Sequence, residues 1–82
     1  MNLEIITPEK KIYNGEVDVA TLPGSDGSFQ VMNNHAPLIS ILSEGTLVYK
    51  TKDKTEQITI TGGVVEILAN KMIVLVDGIK ED

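Results

Sequence analysis

The sequence predicts an all-β protein, a sandwich or barrel of short strands. No segment keeps its apolar residues at the spacing of an amphipathic helix. Instead, stretches of alternating or continuous apolar residues recur at intervals of about 8–12 residues, separated by glycine, proline, asparagine or aspartate. Short strands at such intervals are typical of a two-sheet sandwich or a barrel.

Length and composition indicate one domain with an aliphatic core. A chain of 82 residues forms a single domain, and it buries only about 60% of its unfolded surface. It has no cysteine, so neither disulfides nor thiolate metal sites can stabilise it. With two tyrosines, one phenylalanine and no tryptophan, the core must consist of isoleucine, valine, leucine and methionine. A small core of this kind often depends on a partner for part of its stability.

The charge distribution argues against two classes of function. The net charge is −5, and the seven basic residues are all lysines. Because phosphate contacts need clustered cations, we expect no nucleic-acid binding. The longest apolar run is far shorter than the roughly 20 residues that span a bilayer, and no secretory signal precedes the first predicted strand. The lack of cysteine fits a cytosolic location.

The N-terminal part of the chain is expected to form three strands. The first spans residues 3–7 and the second residues 10–13. The dipeptide Asn14-Gly15 that follows is a type I′ hairpin signal. Residues 16–22 then alternate between apolar and polar, as expected for a half-buried strand.

A longer and chemically mixed stretch, residues 22–42, is the expected site of function. Asp26-Gly27 is a turn dipeptide, and Asn33-Asn34 tolerates left-handed backbone geometry. The stretch ends in an apolar run that contains one serine. Loops are where small β scaffolds place binding groups, so we expect the functional residues here.

The C-terminal half is expected to contain four strands, at residues 45–50, 55–61, 64–69 and 72–76. The predicted connections are a polar hairpin tip at Lys52-Asp53-Lys54, a corner or bulge at Gly62-Gly63, and a turn at Asn70-Lys71.

The last two predicted strands are apolar on both faces. Val65 and Ile67 point to one side, while Val64 and Leu68 point to the other. One face can pack against the core. The other must meet either a second sheet or a partner, and the sequence alone leaves both alternatives open.

Candidate catalytic groups are few. His35 is the only histidine, and a Ser-His-Asp set would have to combine it with Ser25 or Ser28 and Asp26. The sequence has no nucleophile elbow and no metal-ligand spacing such as an EF-hand loop. We therefore expect no catalytic residue and no metal site. The ring nitrogens of His35 are expected either to tie the loop to backbone carbonyls or to lie in an interface.

Two motifs carry a family resemblance that covers nearly the whole chain. The first is Gly24-Ser-Asp-Gly27-Ser-Phe-Gln-Val-Met-Asn-Asn-His35-Ala-Pro-Leu-Ile, and the second is Gly62-Gly-Val-Val-Glu66-Ile followed by a hairpin and Val74-Leu-Val-Asp77. They resemble the signatures of the epsilon subunit of the F-type ATP synthase, called delta in mitochondria. Gln30 stands where that family usually has glycine, and Asn33-Asn34 replaces Pro-Gly.

The resemblance implies a flattened two-sheet β-sandwich of about 8–10 short strands. Residues 1–82 would form one epsilon-type domain, without the C-terminal helical hairpin that many family members carry. The implied function is that of a non-catalytic central-stalk subunit, which joins the gamma subunit to the membrane c-ring and couples ion flow to ATP synthesis. The alpha and beta subunits of F1 would be indirect partners, and no cofactor is implied. The protein would lie on the cytoplasmic face of the bacterial inner membrane, as a peripheral subunit that is not inserted.

The resemblance also implies two sets of interface residues. By position, the residues that match the gamma-facing side are Thr7, His35 and Ser40. The residues that match the loop pointing at the c-ring are Asp26, Ser28 and Phe29.

Two other functions remain open at this point. Carrier domains of the lipoyl or biotinyl type are also small, acidic and all-β, and they present a modified lysine at a hairpin tip such as residues 52–54. In such domains the lysine has apolar flanks, whereas the flanks here are Thr51, Thr55 and Glu56. The second alternative is a small enzyme that uses His35.

Overall fold

The computed structural model describes residues 1–80. Within this range the chain forms nine strands and no helix, so no described segment is a helix that could cross a bilayer. The strands are β1 (Asn2–Ile6), β2 (Lys11–Glu16), β3 (Val19–Gly24), β4 (Gly27–Met32), β5 (Leu38–Leu42), β6 (Gly45–Lys50), β7 (Thr55–Ile60), β8 (Gly63–Leu68) and β9 (Lys71–Val76). The predicted all-β class and strand number are confirmed.

The strands form one sheet that is curled into two layers. The first layer has the order β2-β1-β9-β8-β5, and the second has the order β4-β3-β6-β7. A single residue pair, Gly24 with Leu42, joins β3 to β5 and so connects the layers. The pair β1–β9 is parallel, and all other strand pairs are antiparallel. The domain is flattened, with extents of 31 × 28 × 21 Å.

The core lies between the two layers and is almost entirely aliphatic, as the composition predicts. The largest fully buried side chains are those of Leu3, Ile5, Leu22, Leu47, Ile60, Ile67, Met72, Val31, Val65 and Val74. Tyr49 is the aromatic exception in this core, and its ring lies 4.5 Å from that of Tyr13.

The predicted hairpin at Asn14-Gly15 is wrong. Both residues lie inside β2, where Asn14 pairs with Glu4 and Gly15 pairs with Leu3 of β1. The side chain of Tyr13 folds over Gly15, where an added Cβ would lie 2.7 Å from the tyrosine oxygen. Gly15 therefore leaves room for the Tyr13 ring to lie over the strand. The chain reverses earlier, between Thr7 and Lys10.

Pro23-Gly24 also reads as a turn dipeptide, but both residues lie inside β3, where they pair with Ser28 and Gly27. Two other predicted bends are confirmed, one of them with a shift of one residue. Asn34 has a φ of 64°, as the left-handed preference of asparagine predicts. The β8–β9 hairpin turns at Ala69 and Asn70, with φ values of 51° and 59°. The turn therefore starts one residue before the predicted Asn70-Lys71.

The segment after β9 closes the curled sheet. Asp77 donates its N–H to the carbonyl of Gly62, and Lys80 donates its N–H to that of Thr59. Ile79 forms an isolated bridge to Ile60. This segment therefore pairs with the end of β7 and covers part of an edge that would otherwise be open.

Candidate partner-binding face

The outer face of the first layer is apolar across four strands. Ile41 of β5, Val64 of β8, Leu75 of β9 and Ile6 of β1 are direct neighbours in one row. Ile41 is 67% exposed and Leu75 is 49% exposed, while Val64 and Ile6 are half-buried. Such a row of aliphatic side chains is unusual on a solvated sheet face.

A second row widens this surface. Ile39, Glu66, Ile73 and Glu4 are direct neighbours across the same four strands. Ile39 is 71% exposed, and Leu68 at the end of β8 is 59% exposed. We name this surface the apolar face; it consists of Ile6, Ile39, Ile41, Val64, Leu68, Ile73 and Leu75.

Strand alternation explains why these residues are not in the core. In β5, Leu42 is buried and its neighbour Ile41 is exposed. In β8, Val65 and Ile67 are buried against the second layer, whereas Leu68 is exposed. The second layer therefore covers only one side of these strands. The sequence leaves open whether a second sheet or a partner covers this outer side. In the structure, the second layer does not cover it.

The apolar face is not flat. At one end, an open groove of about 470 Å³ lies between the side chains of Ile6, Pro8, Val64 and Leu75, with Asp77 at its rim. A second open hollow lies at the other end, beside Ile39 and Leu68. Grooves of this kind can accept side chains from a partner.

The charged groups on this surface differ in their pairing. Glu4 lies 2.8 Å from the ammonium group of Lys11. This hydrogen bond holds the pKa of the Glu4 carboxyl below its ordinary value, against an opposing effect of desolvation. Glu66 is exposed between Ile39 and Ile73, and no ion pair within residues 1–80 involves it.

Thr7, predicted to face a partner, is buried at the β1–β2 turn. Its hydroxyl donates to the carbonyl of Lys10 at 3.0 Å and accepts the N–H groups of Glu9 and Lys10 at 3.3 and 3.1 Å. A hydroxyl has one donor and two acceptor sites, so these bonds use its full capacity. The hydroxyl therefore stabilises the turn, and an interface role for Thr7 stays a prediction.

His35, from the same predicted set, is half-buried in the loop before β5. Its Nδ1 donates to the carbonyl oxygen of Ala36 at 2.6 Å, which confirms the expected tie between the ring and the backbone. The neighbouring Asn34 N–H donates to the side-chain oxygen of Asn70 at 2.8 Å. This bond attaches the loop to the β8–β9 hairpin.

Ser40 lies in β5, between two residues of the apolar face, but it points the other way. Its direct partner is the buried Val65. Residues opposite each other in a ladder share a face, so Ser40 lies on the inner side while Ile39 and Ile41 point outward. Ser40 is implied only by its position in the family resemblance, whereas the period of two along this strand identifies Ile39 and Ile41 as the outward residues.

The three predicted gamma-facing residues do not form one cluster. Thr7 follows Ile6, which pairs with Leu75 of β9. Leu75 in turn pairs with Val64, near the start of β8. His35 precedes Leu38, which pairs with Ile67 near the end of β8. The two residues therefore lie at opposite ends of the first layer, and Ser40 lies between them on the inner side.

The second predicted set is held in one hairpin. Asp26 and Ser28 are exposed at the β3–β4 turn, whereas the half-buried Phe29 packs against the core and against Gly24. Ser25 donates its N–H to the carbonyl of Ile41 at 3.0 Å. The hairpin thus borders the end of the apolar face.

The Ser-His-Asp combination is not assembled. Ser25 and Asp26 precede β4, and His35 follows it. A six-residue strand spans roughly 20 Å, so the imidazole lies far from both groups. Within residues 1–80, no group of three acidic, cysteine or histidine side chains could hold a metal ion.

An all-β domain with one uncovered apolar sheet face is, as a class, a partner-binding module. Comparison with known proteins gives the family. Residues 1–82 match the family model described as ATP synthase, delta/epsilon chain, beta-sandwich domain. The chain belongs to this family, which decides against a lipoyl- or biotinyl-type carrier.

Individual relatives agree with this family. The chain is 40% identical over 84 residues to the ATP synthase epsilon chain of Leptospira borgpetersenii, covering 100% of this chain and 66% of that relative. It is 46% identical over 79 residues to that of Sulfurimonas denitrificans, covering 95% and 61%. The chain thus spans about two thirds or less of the length of these relatives.

A solved structure shares the fold. A chain in the central stalk and c-ring structure of the Tetrahymena thermophila mitochondrial ATP synthase superposes with a TM-score of 0.84 at 21% identity. The match covers 98% of this chain and 65% of that one. The predicted β-sandwich is therefore confirmed by similarity as well as by the strand arrangement.

Proposed function

We propose that this chain is the non-catalytic β-sandwich domain of an epsilon subunit in the central stalk of an F-type ATP synthase. In this function it joins the gamma subunit to the c-ring and so couples ion flow to ATP synthesis. The observation that carries the proposal is the apolar face, uncovered on a chain that belongs to the delta/epsilon family.

The gamma subunit docks on the apolar face. Contiguous apolar patches of this kind mark interaction sites, because their exposure to water is unfavourable. Ile39, Ile41, Leu68 and Leu75 are each at least 49% exposed, so a partner that covers them removes apolar surface from water. The groove beside Leu75 offers a place for an apolar side chain of gamma.

The c-ring contacts the β3–β4 hairpin. Asp26 and Ser28 are polar and exposed there, as a contact with polar loops requires. The hydrogen bond from Ser25 to Ile41 places this hairpin next to the apolar face. The two partners can therefore bind adjoining surfaces of one rigid module, which is what transmission of torque needs.

In the assembled enzyme this subunit contacts the alpha and beta subunits only indirectly, through gamma. It lies at the cytoplasmic face of the bacterial inner membrane as a peripheral component. Because the core of the domain is enclosed between its two layers, the domain can serve this function without entering the bilayer.

Calorimetric titration of the gamma subunit from the same genome tests the docking face. We expect Ile41→Ser to weaken binding about fivefold or more, because it removes an aliphatic side chain from the contact. Since Ile41 is 67% exposed, the free energy of unfolding should change by less than about 0.5 kcal/mol.

Met32→Ser is the matched control for this titration. Met32 is 57% exposed on β4, outside the apolar face, and its substitution also removes one exposed apolar side chain. We expect wild-type affinity from this variant. Equal weakening by both substitutions, or by neither, would refute docking on the apolar face.

A further inference from the structure

We propose that Glu66 determines the specificity of the apolar face by binding a lysine or arginine side chain of the gamma subunit. This inference rests on the proposed function and deepens it, because it names the chemistry that the partner must bring to one position.

Glu66 is surrounded by apolar side chains on the outer face of the first layer. Its direct neighbour across β9 is Ile73, and across β5 it is Ile39. Along its own strand, the residues on the same side are Val64 and Leu68. A partner that covers these four side chains must also cover the carboxylate between them.

The nearby cations do not neutralise Glu66 within the described chain. Lys11 pairs with Glu4 at 2.8 Å. Lys71 lies diagonally across β9, next to Ile73, and its ammonium is not within 4.0 Å of the Glu66 carboxylate. Diagonal neighbours in a sheet are about 7–8 Å apart at their Cα atoms, so Lys71 is an intramolecular competitor for this carboxylate.

Docking changes the surroundings of this carboxylate. In the free protein, water solvates the exposed Glu66 at little cost. Once an apolar surface covers it, an unpaired carboxylate is strongly unfavourable, and a cation with matching hydrogen bonds removes that penalty. A partner with an apolar side chain at this position is therefore rejected, while one with lysine or arginine is accepted.

Titration with the gamma subunit at several salt concentrations tests this proposal. We expect Glu66→Gln to weaken binding about tenfold and to reduce the dependence of affinity on salt, because the variant keeps the shape but loses the charge. Asp53→Asn is the control: it removes one negative charge at the exposed β6–β7 hairpin tip and should leave affinity and salt dependence unchanged.

A double-mutant cycle with Lys71→Gln separates a partner cation from an intramolecular one. If gamma supplies the cation, Glu66→Gln weakens binding by the same factor in the presence and absence of Lys71. If Lys71 satisfies the carboxylate in the complex, Lys71→Gln leaves Glu66 covered and unpaired, so Glu66→Gln in that background no longer weakens binding but strengthens it, and the proposal is overturned.

The failure of this inference can be told apart from failure of the proposed function. If the wild-type chain does not bind gamma, docking itself is wrong, and this inference falls with it. If wild type binds and Glu66→Gln binds equally well, docking stands and the role of Glu66 alone is refuted. Thermal unfolding of the variants checks that any lost binding is not caused by lost structure.

Discussion

At the scale of single residues, Gly63 is required for the path of β8 against β9. Its φ is 158°, and an added Cβ would collide with the carbonyl oxygen of Leu75 and lie 2.9 Å from the Cα of Val76. These are backbone atoms of a paired strand, so they cannot move aside as a flexible side chain can. The predicted corner at Gly62-Gly63 is confirmed by the short connection between β7 and β8, which lie in different layers, and the close backbone approach at Gly63 is an additional finding.

Gly63→Ala should lower the free energy of unfolding by about 1–3 kcal/mol, because the strands must separate locally to admit the methyl group. Urea unfolding measures this change. Gly78→Ala is the control, since the nearest atom to its added Cβ is Thr61 Oγ1 at 3.4 Å, an ordinary contact. A loss of similar size in both variants would show that the close approach at Gly63 is not the cause.

At the scale of elements, two hairpin turns share one design. In Thr7-Pro-Glu-Lys10 and in Thr51-Lys-Asp-Lys54, the threonine N–H donates to the lysine carbonyl at 2.9 and 2.8 Å. In both turns the threonine hydroxyl donates to the same carbonyl and accepts two backbone N–H groups. The threonine side chain thus forms hydrogen bonds with backbone groups of the turn that have no partner in a neighbouring strand.

Thr7→Val should destabilise the protein by about 1–2 kcal/mol, because it leaves partly buried backbone groups without partners. Thr51→Val removes the same bonds at a more exposed turn, where water replaces them, and should cost about 0.5–1 kcal/mol. Chemical denaturation compares the two. Binding to gamma by the folded variants should be unchanged. A loss of affinity in Thr7→Val without a loss of stability would support the direct contact that the family resemblance implies.

The turns also show what local sequence can and cannot predict. The bend at Asn33-Asn34 can be predicted from the sequence because the left-handed preference of asparagine is local. The same kind of rule predicts a hairpin at Asn14-Gly15, but the pairing of β2 with β1 and the packing of Tyr13 over Gly15 hold these residues in a strand. Those contacts join residues from different elements, so no short window contains them.

At the scale of the whole molecule, the fold class and the aliphatic core could be predicted, because alternation and composition determine them. The order of strands could not. Alternation decides which face of a strand is buried, but not which strand lies beside it. The parallel pairing of β1 with β9 and the single Gly24–Leu42 junction depend on distant parts of the chain.

The candidate site follows the same division. The sequence showed that the last two strands are apolar on both faces, which left either a second sheet or a partner to cover the outer side. Only the arrangement of the strands shows that the second layer lies on the inner side and that Ile39 and Ile41 extend the outer face. The interface residues implied by the family resemblance rest on sequence position alone, and position carries no information on where a side chain points.

Site-specific cross-linking tests the central claim, that gamma binds the apolar face, most directly. Because the chain has no cysteine, Ile41→Cys creates a unique attachment point for a photoreactive maleimide, and Met32→Cys provides the control on β4. In a mixture with gamma, irradiation should give a covalent adduct from position 41 and little or none from position 32. Adducts from position 32 alone, or equally from both positions, would contradict docking on the apolar face.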